Sequence, residues 1–436
     1  MLRLKKRLLH ILFWSVLAAA FIGPGTVTTA ASAGAGFGYS LIWALIFSTA
    51  ACFVLQEASA RITAVSGLNL GHAMQKKYLS SKPGRWLIGL ALVSILAGCA
   101  AFEAGNILGA AAGVSLVFET IPTQLTTIII GTAAAILLWK GTIKQVATLL
   151  GLVVALMGFC FVLTAFLVPH NWSAVFTGSI RPSIPVGAEL LVLGLIGTTV
   201  VPYNIFLGSG LKHAQTVSEM RWGLFVAITL GGFISIAILL TGTAIAGTFT
   251  FEGLADTLSN QLGDGARWLV AIGLFGAGIS SALTAALAAA ITAQSLLSKP
   301  GDTRWQENGS WFRLTWGAVL AIGLFFGILQ IQPVPAIILA QALNGIILPV
   351  IAVILFLMMN DTGILPKSRQ NKTFYNLFTG FVVYLTVLTG ITNFLRAATR
   401  FIGFELPGQT VILMLSTILY LLLMIPVIKN FFGKDS

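Results

Sequence analysis

The chain has 436 residues, 57% of them hydrophobic and only 9% charged. Soluble domains carry roughly 25% charged residues, so this composition excludes a soluble enzyme and points to an integral membrane protein in a lipid bilayer. The formal net charge is +12, but the basic residues sit between apolar runs, so no nucleic-acid partner is expected.

An apolar run of roughly 20 residues can cross a bilayer as a helix. About twelve such spans are expected, over 11–36, 39–65, 86–115, 123–139, 145–168, 186–211, 222–247, 266–297, 312–331, 335–359, 373–395 and 408–431. The fold class is all-α, and residues 1–436 form a single transmembrane domain. The third and eighth spans are long for a simple crossing and are expected to tilt or extend past the bilayer. The basic N-terminus, Arg3-Leu4-Lys5-Lys6-Arg7, followed by an apolar run, resembles a signal peptide. No cleavage is expected, because the run continues without a small-x-small boundary.

Two spans are interrupted. The first contains Gly23-Pro24-Gly25-Thr26 and the sixth Thr198-Thr199-Val200-Val201-Pro202-Tyr203-Asn204. Proline removes a backbone donor and biases its predecessor away from helical angles, so both helices should unwind there. Freed backbone groups at membrane depth persist only in protein or along a cavity. Interrupted spans at corresponding places in two halves point to a transporter's binding site. Gly23, Gly25, Thr26, Thr198, Val201, Tyr203 and Asn204 are therefore candidate substrate-binding residues.

With the N-terminus inside, Arg181, Arg267, Arg396 and Arg400 fall outside, and all the other Lys and Arg fall inside. That bias places both termini in the cytoplasm. Cys52, Cys99 and Cys160 fall within spans and are expected to pack as apolar groups. Asn171-Trp172-Ser173 is a formal glycosylation sequon in an expected outer loop.

Acids are costly within a membrane, and Glu57 and Glu103 sit well inside spans. Glu103 and Asn106, three apart, share a helix face. Glu103 is a candidate for proton coupling with Asn106 beside it; the alternative is a protonated acid that only bonds neighbouring helices. Glu57 and Arg61, spaced i to i+4, read as a structural ion pair. Gln341 and Asn344 in the tenth span either line the substrate cavity or hold helices together. In the eighth span Ser280, Ser281, Thr284, Thr292 and Gln294 read as close helix packing. No His, Cys, Asp or Met lies beside either break, whereas an Mn²⁺ or Fe²⁺ site would want a carboxylate, imidazole or thioether. No metal site, cofactor or enzymatic motif is expected.

These motifs resemble the NRAMP family of divalent-metal transporters, with similarity over nearly the whole chain. The family's Asp-Pro-Gly-Asn falls on Gly23-Pro24-Gly25-Thr26, its Ala-x-x-Met-Pro-His-Asn on Thr198 to Asn204, and its tenth-span glutamine on Gln341. Its third-span acid, linked to proton movement, falls on Glu103, and a second acid becomes Asn106. The resemblance implies a LeuT-like fold of two inverted five-helix repeats, roughly 11–168 and 186–359, with extra helices over roughly 373–431. It also implies alternating access in a bacterial plasma membrane. The family's metal-holding Asp, Asn and Met have become Gly23, Thr26 and Val201, and its His has become Tyr203. The leading expectation is therefore a proton-coupled transporter of a small organic acid or amino-acid-like solute. A Mg²⁺ or Mn²⁺ transporter is the alternative. A non-transporting sensor, similar to the membrane domain of the plant ethylene-signalling protein, is the third reading.

Overall fold

The computed structural model describes residues 22–141, 143–210, 217–299, 301–402 and 408–432. The inner part of the first expected span (11–21), Arg3, Lys5, Lys6, Arg7, Lys212, Lys434, His10 and His213 lie outside the described residues.

The described residues form helices and no strand. Helix α1 (Pro24–Phe37) starts directly from extended backbone at Gly23, and proline suits a first turn, where its missing N–H has no helical partner. Helix α2 (Ile42–Ser66) stops at Gly67 in the left-handed region, φ 70°, a position that favours glycine. The short α3 (Leu70–Tyr78) is capped by Asn69, whose side chain accepts the His72 N–H at 2.8 Å. Ser81 does the same for Gly84 at the head of α4 (Lys82–Ser115). Such caps are each worth about 1 kcal/mol. Next come α5 (Thr123–Lys140), α6 (Ile143–Leu167) and the short α7 (Trp172–Ile180). Asn171 caps α7 by accepting the Ala174 N–H, which gives the sequon asparagine a structural role.

The sixth span is two helices, α8 (Glu189–Thr199) and α9 (Pro202–Gly210). Then follow α10 (Val217–Gly242), α11 (Phe251–Leu262), α12 (Gly265–Leu297), α13 (Ser310–Ile328), α14 (Pro333–Met359), α15 (Thr373–Ile402) and α16 (Gln409–Phe432). Ten helices or helix pairs among the described residues are long and apolar enough to cross a membrane. Helices α1, with 14 residues, and α16 lie at the places of the first and twelfth expected spans. The short α3 follows the second span and the short α11 the seventh, so the two sets of five spans share this feature.

Two helix groups frame the centre. Helices α4 and α12 pack against each other more extensively than any other pair, and with α5 and α13 they form a wall. Helices α1, α2, α8, α9 and α10 form the second group, and α14 lies against both. With 34 and 33 residues, α4 and α12 are each about 50 Å long at 1.5 Å per residue. That exceeds the roughly 30 Å hydrocarbon core, as their long apolar runs predict. Large apolar side chains such as Leu152 and Phe166 face outward. Exposed tryptophans bracket this belt, with Trp86, Trp139 and Trp222 at one end and Trp172 and Trp268 at the other, as expected where bilayer meets water. Cys52 and Cys99 are buried thiols in apolar packing, and Cys160 is partly buried.

The expected Glu57–Arg61 pair forms at 3.0 Å and belongs to a larger cluster. Arg221 of α10 meets the other Glu57 oxygen at 2.7 Å. The Tyr375 hydroxyl of α15 donates to Glu57 at 3.2 Å. Arg61 also donates to Asn371 and to the Arg369 carbonyl, and stacks over the Tyr375 ring. Nearby, Lys77 pairs with Asp361. This polar cluster joins α2 and α10 to α15 and the segment before it.

Candidate functional site

Gly23 is extended, with φ −91° and ψ 173°, and α1 starts immediately after it. In the other break α8 ends at Thr199, Val200 takes φ −102° and ψ 83°, and α9 begins at Pro202. A continuous helix would bond the residue 202 N–H to the Thr198 carbonyl, and Pro202 has none to give. The first turn of α1 directs its N–H groups toward the gap, while the last turn of α8 directs carbonyls there. Both signs of backbone dipole therefore converge on one place.

The breaks touch. The Thr26 and Thr198 hydroxyls are hydrogen-bonded at 2.9 Å although 172 residues apart. Between them lies a small cavity bounded by Gly23, Gly25, Thr26, Thr198, Val201, Tyr203 and Asn204, completed by Phe102, Asn106 and Ser281. Its volume of about 20 Å³ is room for about one water molecule. All seven residues expected at the breaks border this one space. Phe102 packs edge-to-face on Tyr203, with ring centroids 5.4 Å apart, and both rings are buried. Asn106 is buried and its Nδ2 has no partner among the described residues. Phe102 and Ser281 were not singled out as site residues from sequence.

The remaining candidates stand one layer back. The Gln341 carboxamide packs directly on the Gly25 α-carbon, so any side chain at 25 would collide with it. Asn344 donates to the Ala340 carbonyl at 3.2 Å, and its Oδ1 faces Gly98 of α4. Both are buried and neither borders the cavity. Glu103 is 0% exposed, both carboxyl oxygens lack hydrogen-bond partners among the described residues, and its chain packs on Gly323 of α13. It faces the α13 side of α4, while its neighbours Phe102 and Asn106 face the cavity.

The lining supplies hydroxyls, carboxamides and backbone carbonyls. Among the described residues it holds no charged side chain, imidazole or thioether, and no group of three or more His, Cys, Asp or Glu is placed to hold a metal. Such a lining suits hard, oxygen-seeking ions or a hydrogen-bonding solute.

The sequence matches the family described as Nramp, natural resistance-associated macrophage protein-like, over residues 15–396. The divalent metal cation transporter MntH of Verminephrobacter eiseniae is 27% identical over 307 residues, covering 65% of this chain and 67% of that protein. MntH of Acidiphilium cryptum is 27% identical over 358 residues, 77% of this chain and 78% of that protein. Among solved structures, the manganese transporter of Eremococcus coleocola, in complex with an aromatic bis-isothiourea substituted compound, superposes with a TM-score of 0.69. It is 18% identical and covers 96% of this chain and 93% of that one. Mhp1, a nucleobase-cation-symport-1 family transporter, gives 0.57 at 15% identity, over 96% and 92%. These likenesses carry the LeuT-like fold, and the family match spans both breaks and the helices that frame them: the chain belongs to the Nramp family of transporters.

Proposed function

We propose that the protein is a secondary transporter that moves a divalent cation through this cavity with part of the ion's hydration shell retained. The observation that carries the reading is the cavity's chemistry: neutral oxygen donors gathered between two helix breaks. A bare ion fits that space; an ion that keeps several waters, like an organic acid, needs it to widen during the transport cycle. Magnesium keeps several waters and needs few protein ligands, so the missing carboxylate is tolerable. The names carried by the MntH relatives and by the Eremococcus transporter support a divalent cation over the organic solute that the sequence put first.

In this reading Thr26, Thr198 and Asn204 offer side-chain oxygens, Asn106 its carboxamide, and the break at Gly23, Gly25 and Val201 its backbone groups. Tyr203 closes one side against Phe102. Gln341 holds the α1 turn from behind, and Asn344 packs on α4. Glu103 takes up and releases the coupling proton. The group of α1, α2, α8, α9 and α10 rocks against the wall of α4, α5, α12 and α13, with the breaks as hinges. The repeats run over roughly 11–168 and 186–359, with extra helices over roughly 373–431. Both termini face the cytoplasm of a bacterial cell, and no resident metal, cofactor or enzymatic step is involved.

Uptake into liposomes tests this. Mg²⁺ or Mn²⁺ should enter saturably, and soft Cd²⁺ should not. Thr26→Val and Asn204→Ala should each lower uptake about tenfold, the equivalent of about 1.4 kcal/mol for a lost oxygen contact. One observation favours a second reading: the first turn of α1 opens on the cavity with no carboxylate opposite it, which would suit an anionic group. Uptake of a small carboxylate, with no entry of Mg²⁺ or Mn²⁺, would replace the first reading by the second.

A further inference from the structure

Glycine at position 23 is not explained by backbone conformation. Its φ of −91° and ψ of 173° lie in the extended region open to any L-residue. Space explains it. A Cβ on residue 23 would come within 3.1 Å of the Ser281 Oγ, tight enough that the hydroxyl would have to give by a few tenths of an ångström. Ser281 is also the residue through which α12 borders the cavity. The other polar side chains there come from the two broken spans or from α4, and Thr26 and Thr198 are already bonded to each other.

We infer that Gly23 is a window that leaves the Ser281 hydroxyl open to the cargo, and that Ser281 is a cargo-contacting residue that helps set specificity. The class of cargo rests on the divalent-cation reading above; the window does not. Ser281 supplies an uncharged oxygen from the wall helices, facing those of Thr26 and Asn204 across the space. A cation would then be gripped from both helix groups at once.

Two measurements test this. The first is a double-mutant cycle on Mg²⁺ and Mn²⁺ uptake. Gly23→Ala and Ser281→Ala should each raise the half-saturation concentration about tenfold with little change in maximal rate, and Ser281→Thr should restore it. If Gly23 acts by exposing Ser281, adding Gly23→Ala to Ser281→Ala should cost nothing further. Additive losses, or a fall in maximal rate for Gly23→Ala alone, would make Gly23 a hinge requirement and overturn the inference.

The second measurement needs no cargo. In protein with Cys52, Cys99 and Cys160 replaced by alanine, Ser281→Cys should react with a small cationic methanethiosulfonate. Adding Gly23→Ala should slow that reaction at least several-fold while leaving an Asn204→Cys control unchanged. Equal labelling with and without Gly23→Ala would sink the window whatever the cargo. Slowed labelling in a protein that moves no divalent cation would instead retain the window and overturn the cation reading.

Discussion

Glu57→Ala should destabilise the protein by about 3–5 kcal/mol, the range for breaking a buried ion pair by removing one partner. Glu57 is 1% exposed and takes Arg61, Arg221 and Tyr375 at once. Without it Arg61, 3% exposed and already lacking a partner at Nε among the described residues, faces Arg221 with no counter-charge among them. Nearly all of the effect should come from Arg61, because Arg221 is half exposed and such pairs contribute at most about 1 kcal/mol. Glu57→Gln keeps an acceptor for Tyr375 and should cost less than Glu57→Ala. Thermal denaturation in detergent ranks the two, and a loss under about 1 kcal/mol for Glu57→Ala would mean that the cluster is not the brace described here.

Glu103→Gln should remove pH-driven accumulation while leaving exchange of cargo intact. Glu103 has no solvent contact and, among the described residues, no hydrogen bond to either carboxyl oxygen. An isolated carboxylate in such a place is severely penalised, and a bound proton removes the penalty. Glutamine reproduces the neutral form and its shape but cannot release a proton. In liposomes loaded with cargo, the variant should exchange labelled Mg²⁺ or Mn²⁺ at a rate near that of the unaltered protein. An imposed pH gradient should then drive no net concentration. A variant that still concentrates the ion in response to the gradient would make Glu103 a structural group and place coupling elsewhere.

Much of the frame is legible because its signals are local. Pro24 and Pro202 lie inside apolar runs and remove backbone donors wherever they fall, so both breaks can be located before any folding is known. The pairing of Glu57 with Arg61 follows from one helical turn. Its enlargement does not, since Arg221 and Tyr375 arrive from 164 and 318 residues away. Ser281 is hidden for a different reason. It sits in a run of small residues on α12, where a hydroxyl for packing and a hydroxyl for a ligand look the same. Gln341 and Asn344 illustrate the reverse ambiguity: a polar pair on an apolar face announces an inward position but not which layer, and the fold sets both one layer behind the cavity. The cargo was least legible. Neutral oxygens serve a hydrated ion and a hydrogen-bonding solute alike, and the sequence favoured the solute where the relatives favour the ion.

A cavity without a charged side chain has an electrical consequence. The cavity lining carries no charge across the field of the membrane, so, apart from the proton on Glu103, the cargo's own charge sets the electrical work of loading and unloading. One elementary charge is worth about 2.3 kcal/mol per 100 mV. A divalent cation moving inward would gain about 4.6 kcal/mol at an interior potential of about −100 mV, enough for roughly a two-thousandfold concentration before any proton contributes. An organic anion would meet the opposite sign and need protons merely to enter. A potassium-diffusion potential imposed across liposomes at equal pH should therefore accelerate cation uptake when the interior is negative.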